Sequence, residues 1–195
     1  MDRQAETYDW GILVRWSIAT CIGWIVGVVA AIALSYAIMD LIGLGEETNI
    51  FVGIFMGACM GLAQMIGVRG KLKLGARWVW GSVAGMGIAF VAAVLLGQYV
   101  LRVEGPVDHL LIPVAVVGGL LTGLFQMRSL KPYTSRAALW PVLSALSWGV
   151  AWVVANFTGQ GGFLFAGVIF GVVGGALFVW LLRVPAGTVI GQQGA

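Results

Sequence analysis

Six long runs of apolar residues, separated by short polar segments, dominate the chain. They cover residues 16–39, 50–68, 78–101, 110–127, 137–158 and 161–182, and none contains a charged side chain. At about 1.5 Å of rise per residue, each run is long enough to cross a hydrocarbon core about 30 Å thick. Because the runs are continuous and do not alternate with period two, they predict six transmembrane helices and not strands of a barrel.

The charged residues between these runs fall on two unequal sides. Arg102 is the only basic residue of one side, which also carries the acidic residues Asp40, Glu46, Glu47, Glu104 and Asp108. The other side carries ten basic residues, namely Arg3, Arg15, Arg69, Lys71, Lys73, Arg77, Arg128, Lys131, Arg136 and Arg183. Since lysine and arginine accumulate in cytoplasmic loops, this asymmetry predicts a multi-pass membrane protein with both termini in the cytoplasm.

Composition agrees with a membrane protein and excludes several other classes. Hydrophobic residues make up 60% of the 195 positions, charged residues 10%, and the mean hydropathy is +0.98. So few charges cannot cover the surface of a soluble domain. The net charge of +3 comes from short scattered clusters, which excludes a nucleic-acid-binding face. Cys21 and Cys59 lie within apolar runs and His109 is the only histidine, so we expect no disulfide, no metal site and no cofactor.

A period of 62 residues relates the first, third and fifth runs. Trp16, Trp78 and Trp140 mark the start of each copy. Small residues follow the tryptophans at 4, 7 and 11 positions, which share one helical face. These residues are Thr20, Ser82 and Ser144, then Gly23, Gly85 and Ser147, then Gly27, Ala89 and Ala151.

The second, fourth and sixth runs share a stripe of small residues with period four. Its members are Gly53, Gly57 and Gly61, then Ala115, Gly119 and Gly123, then Gly167, Gly171 and Gly175. Three positions beyond each stripe stand Gln64, Gln126 and Phe178. Such stripes let helices in lipid approach one another closely, so we interpret the glycines as helix-packing positions.

These repeats predict the arrangement of an all-α integral membrane domain that covers residues 1–195. The six helices group into three tandem hairpins, at approximately 10–70, 72–130 and 134–183. Each hairpin begins and ends on the same side, so the copies run parallel, and we expect a pseudo-threefold axis along the membrane normal. The uncharged segment 184–195 is expected to form a flexible cytoplasmic tail.

Gln64 and Gln126 are the most informative polar side chains within the runs. They lie on the face of the glycine stripe, so they point toward neighbouring helices and not toward lipid. One interpretation is interhelical hydrogen bonding, worth about 1 kcal/mol each. The other is a small polar cavity near the axis, where Phe178 fills or gates the third position.

Tryptophans form two groups according to their depth. Those near the basic helix ends, typical of an interfacial aromatic belt, are Trp10, Trp16, Trp78, Trp80, Trp140 and Trp180. Those that lie deeper are Trp24, Trp148 and Trp152. We expect the deeper group to fill space between glycine-rich helices; contact with a lipid tail, quinone or pigment is the alternative.

Two motif copies and two helix openings carry a resemblance to known sequences. They are Gly57-x-x-x-Gly61-x-x-Gln64, Gly119-x-x-x-Gly123-x-x-Gln126, Arg77-Trp78 and Arg136-x-x-x-Trp140. The chain is similar to multi-pass proteins of bacteria such as cyanobacteria and Chloroflexi, in which glycine, glutamine and tryptophan recur in hairpin repeats. The resemblance implies a bacterial inner-membrane protein and no particular activity.

The runs contain none of the charged side chains that ion-coupled transport or hydrolytic catalysis uses. We therefore expect a non-enzymatic protein, either a structural, accessory or assembly subunit of a membrane complex or a homo-oligomer. Its partners would be the lipid bilayer and other membrane subunits or further copies of itself. A passive channel, facilitator or binding protein for a small neutral or lipophilic molecule is the alternative.

Overall fold

The computed structural model describes residues 9–42, 49–95, 108–158 and 162–183. Its six helices are α1 (Trp10–Ile42), α2 (Asn49–Val68), α3 (Ala76–Leu95), α4 (Asp108–Leu130), α5 (Trp140–Phe157) and α6 (Gly162–Leu182). A 3-10 turn at Ala137–Leu139 leads into α5. Each helix contains a segment long and apolar enough to span a membrane. The prediction of an all-helical, multi-pass protein is confirmed, whereas the tail at 184–195 lies outside the described residues.

The start of α1 differs from the first apolar run, because the helix begins at Trp10 and so includes Arg15. Asp9 caps it, since the carboxylate Oδ1 accepts a hydrogen bond from the Ile12 N–H at 3.1 Å. Lys71 Nζ lies 3.4 Å from Asp9 Oδ2. Burial raises the pKa of the Asp9 carboxyl, but the hydrogen bonds from Ile12 and Lys71 outweigh it and leave this pKa below its ordinary value.

The helices form a closed ring. Each helix packs mainly against the helix before it and the helix after it in the chain, and α6 packs against α1. The segments that follow α2 and α4 lie at one end of the ring, which we call the basic end because it carries Arg69, Lys71, Lys73 and Lys131. There the Tyr133 hydroxyl accepts a hydrogen bond from the Lys73 N–H, and Thr134 Oγ1 donates to the Leu181 carbonyl, both at 2.8 Å.

Glycines occupy close approaches between neighbouring helices. A Cβ atom on Gly57 would lie 2.5 Å from the carbonyl oxygen of Ser82 in α3, and one on Gly123 would lie 2.5 Å from Pro141 Cα in α5. Both distances are too short for any side chain, so backbone meets backbone at these two points. The remaining stripe glycines also face the next helix around the ring. Gly53 and Gly61 face α3, Gly119 faces α5, and Gly167, Gly171 and Gly175 face α1.

The tryptophans near the basic end do not form one interfacial belt. Trp10 and Trp80 are exposed, at 67% and 69% of their surface, as such a belt requires. Trp16, Trp78 and Trp140 are instead completely buried inside the ring. The belt interpretation is therefore wrong for these three. The physical reason is that they lie on the same helical face as the small residues 4, 7 and 11 positions later, and that face points inward.

Candidate functional site

Four aromatic side chains fill the centre of the ring near its basic end. They are Trp16, Trp78, Trp140 and Phe178, and we call them the aromatic plug. The tryptophan ring centroids lie 5.6 to 6.1 Å apart, in edge-to-face or tilted pairs that are favourable for aromatic rings. Phe178 stacks on Trp16, with 4.1 Å between centroids and 19° between ring planes. Each of the four is at most 1% exposed.

Gln64 sits between three helices at the edge of the plug. Its Oε1 accepts a hydrogen bond from Trp78 Nε1 of α3 at 3.1 Å, and its Nε2 donates to Thr20 Oγ1 of α1 at 3.2 Å. The side chain is only 2% exposed. Both ends of the amide are therefore bonded to neighbouring helices.

Gln126, which lies 62 residues after Gln64, makes the same pair of bonds. Its Oε1 accepts from Trp140 Nε1 of α5 at 2.9 Å, and its Nε2 donates to Ser82 Oγ of α3 at 2.8 Å. Ser82 Oγ in turn donates to the Trp78 carbonyl oxygen at 3.2 Å. The bonds of the two glutamines thus join five consecutive helices, from α1 to α5, through one polar network.

The contact between α6 and α1, which we call the third seam, lacks this bond. Phe178 stands at the glutamine position and contacts Trp16 by ring stacking only. Among the described residues, Trp16 Nε1 and Ser144 Oγ have no hydrogen-bond partner. These two atoms correspond to the Trp78 donor and the Thr20 hydroxyl that bind Gln64. The third seam is held instead by a 2.9 Å bond from Ser17 Oγ to the Gly171 carbonyl oxygen.

Trp24, Trp148 and Trp152 pack beyond the plug, farther from the basic end. Trp24 and Trp148 lie 5.4 Å apart, and Phe170 stacks on Trp148 at 4.2 Å. All three tryptophans are buried, as expected for side chains that fill space between helices. They border a cavity of about 40 Å³ whose lining is almost entirely apolar.

No cluster of metal-binding side chains is found in the part of the chain that the structure describes. No group of three or more His, Cys, Asp or Glu side chains there is placed to hold a metal ion. His109 belongs to α4 by its backbone, but its side chain lies outside the described residues. The arrangement that the structure does show around Gln64 and Gln126 is a set of hydrogen bonds between neighbouring helices.

Sequence reasoning identified both glutamines but not their tryptophan partners. The position of Trp78 and Trp140 near basic helix ends predicts an interfacial belt, but each of them also follows its glutamine by 14 residues. Each glutamine likewise follows its hydroxyl partner, Thr20 or Ser82, by 44 residues. This constant spacing in both copies was the signal that could have revealed the partners.

Substituting Phe178 with glutamine is expected to supply the partner that the third seam lacks. The new amide would accept from Trp16 Nε1 and donate to Ser144 Oγ, which offsets the loss of ring stacking. We expect the free energy of unfolding of F178Q to lie within about 1 kcal/mol of the wild type, measured by denaturation in mixed detergent micelles.

Combining F178Q with S144A tests whether the expected hydrogen bonds form. F178Q should cost about 1 kcal/mol more when Ser144 is alanine than when it is serine, because the hydroxyl acceptor is then missing. Equal costs in both backgrounds would show that residue 178 does not occupy the position of Gln64 and Gln126.

Comparison of the chain with protein-family models, with curated proteins and with solved structures finds no match.

Proposed function

We propose that this protein is a non-enzymatic, structural component of a membrane assembly, either an accessory subunit or a homo-oligomer. The strongest support comes from the hydrogen bonds of the two glutamine side chains within the membrane-spanning helices. Both amide ends of Gln64 and Gln126 are hydrogen-bonded to other helices and hidden from solvent. Groups held in this way serve to fix helix positions and cannot bind or activate a substrate without breaking the packing.

The aromatic plug weighs against a passive channel along the axis of the ring. Conduction of a small neutral molecule requires a continuous path lined by groups that replace its hydration. Trp16, Trp78, Trp140 and Phe178 instead meet ring against ring, and all four are buried. A facilitator with this path would have to move these rings aside.

The proposal includes a threefold internal repeat, built from three parallel hairpins whose stripe glycines provide the packing surfaces. Two observations support it: Gln64 and Gln126 bond to residues at identical spacings, and stripe glycines of α2, α4 and α6 each face the next helix around the ring. Equivalent contacts in successive copies are what a tandem repeat with a common axis produces.

The proposal also places the basic end at the cytoplasmic face of a bacterial inner membrane. The described basic residues of that end, including Lys73, Arg77 and Arg128, support this orientation.

In a C21A/C59A background, a K73C cysteine should be protected from an impermeant maleimide in intact cells and labelled after lysis. Labelling in intact cells would reverse the orientation.

Native electrophoresis after extraction in mild detergent tests the structural role. We expect a species clearly larger than the 20.6 kDa chain, either a homo-oligomer or a complex whose other subunits mass spectrometry identifies. Reconstituted vesicles provide the second arm, in which glycerol and water permeability should equal that of empty vesicles. A lone monomer in every mild detergent would contradict the subunit role, and raised permeability would support the facilitator instead.

A further inference from the structure

We propose that the outer groove between α3 and α4 binds one anionic phospholipid, with the lipid phosphate held between Arg77 and Arg128. This groove has a volume of about 540 Å³. Its principal lining residues are Arg77, Trp80, Gly81, Leu124, Phe125 and Arg128. The groove thus combines two cations with an apolar, aromatic surface, which is the chemistry of a lipid headgroup joined to an acyl chain.

The apolar part of the groove has the shape for an acyl chain. Gly81 lets α3 and α4 approach closely, since a Cβ there would lie 3.2 Å from Phe125 Cβ, and this contact forms the floor of the groove. Trp80 of α3, which is 69% exposed, lines one side of the groove. Leu124 and Phe125 of α4, which are also exposed, line the other side. An indole at the depth of the headgroups is a common anchor for lipid.

Among the described residues, no acidic side chain forms a salt bridge with Arg77 or Arg128 in the charged part of the groove. Arg77 and Arg128 are both exposed, and the salt bridge that the described residues form joins Lys71 to Asp9. Both arginines line the same groove, so their positive charges repel each other in the absence of an anion. A phosphate between them would remove this repulsion and accept charge-assisted hydrogen bonds from both.

The groove between α1 and α2 provides a natural comparison within the same chain. It has a volume of about 420 Å³, and Arg15 lies 62 residues before Arg77 at the corresponding position. Ile66, however, stands 62 residues before Arg128, so the second cation is missing there. The α1–α2 groove therefore offers one arginine to a phosphate, and the α3–α4 groove offers two.

Native mass spectrometry of the delipidated protein can measure this difference. The probes are phosphatidylglycerol and phosphatidylcholine with identical acyl chains, mixed at equal concentration. At about 1 kcal/mol for each arginine near the phosphate, R77Q and R128I should each lower the preference for phosphatidylglycerol about fivefold. R15Q should leave this preference unchanged, because that residue belongs to the other groove.

A gain of binding tests the same site independently of any damage to folding. I66R should raise the number of tightly bound phosphatidylglycerol molecules from one to two, because it supplies the second cation of the α1–α2 groove. Soluble glycerol phosphate should not displace the lipid, since it has no acyl chain to occupy the groove. The proposal is overturned if R15Q and R128I have equal effects, if I66R adds no lipid, or if glycerol phosphate competes as well as phosphatidylglycerol.

Discussion

Gly57→Ala is expected to lower the free energy of unfolding by about 3 kcal/mol, the upper range for overpacking of a tight core. The added Cβ would lie 2.5 Å from the carbonyl oxygen and 2.8 Å from the carbonyl carbon of Ser82. Both are backbone atoms of α3, so no side-chain rotation can relieve the contact and the two helices must separate. Helix propensity alone favours alanine over glycine by about 1 kcal/mol, so the destabilisation by overpacking must exceed this gain.

Gly75→Ala provides the matched control for this substitution. A Cβ on Gly75 would meet no atom within 4 Å, so its effect should stay within about 0.5 kcal/mol. Unfolding of both variants in mixed micelles, followed by tryptophan fluorescence, gives the comparison. If the two alanine variants are equally stable, α2 and α3 do not approach through Gly57 in the membrane.

Gln126→Leu is expected to lower the free energy of unfolding by about 2 kcal/mol. The substitution keeps the volume of the side chain but removes both hydrogen bonds, to Trp140 Nε1 and to Ser82 Oγ. Interhelical hydrogen bonds in membrane proteins are worth roughly 1 kcal/mol each, and burying an unpaired group costs a similar amount. A double-mutant cycle of Q126L with W140F should show a coupling free energy of about 1 kcal/mol.

Two equivalent serines provide the control for the network. Ser82→Ala removes the acceptor for Gln126 and should destabilise the protein, whereas the Ser144 hydroxyl has no partner in the described part of the chain. Ser144→Ala should therefore be nearly neutral. Equal losses from the two variants, or no coupling between Gln126 and Trp140, would contradict the role assigned to the network.

The positions of the helices could be predicted because lipid imposes a simple rule on the sequence. A helix that crosses the bilayer needs a long stretch without charge, and each of the six runs overlaps one of the six helices. The ends of the helices could be predicted less accurately, because they depend on local polar contacts. α1 starts before its apolar run because Asp9 caps it, and Arg15 is carried within the helix.

The partners within the site could be predicted only in part. The glycine stripes showed which face of α2 and α4 points to other helices, and the glutamines on that face do bond to their neighbours. Which tryptophan completes each pair depends on how far successive helices are shifted along the axis. Hydropathy carries no information on that shift, so it predicts an interfacial position for Trp78 and Trp140, which the structure buries inside the ring of helices.

The third seam joins the last of the six helices to the first, so it closes after the other contacts during synthesis from the N-terminus. Directional bonds at such a junction would demand one fixed alignment of α6 before docking is complete. Stacked rings and bare glycine backbone tolerate sliding and rotation, because their attraction varies gradually with position. At residue 178 the stack of Phe178 on Trp16 takes the place of such a bond, so the alignment of α6 on α1 rests on the bond from the Ser17 hydroxyl to the Gly171 carbonyl oxygen.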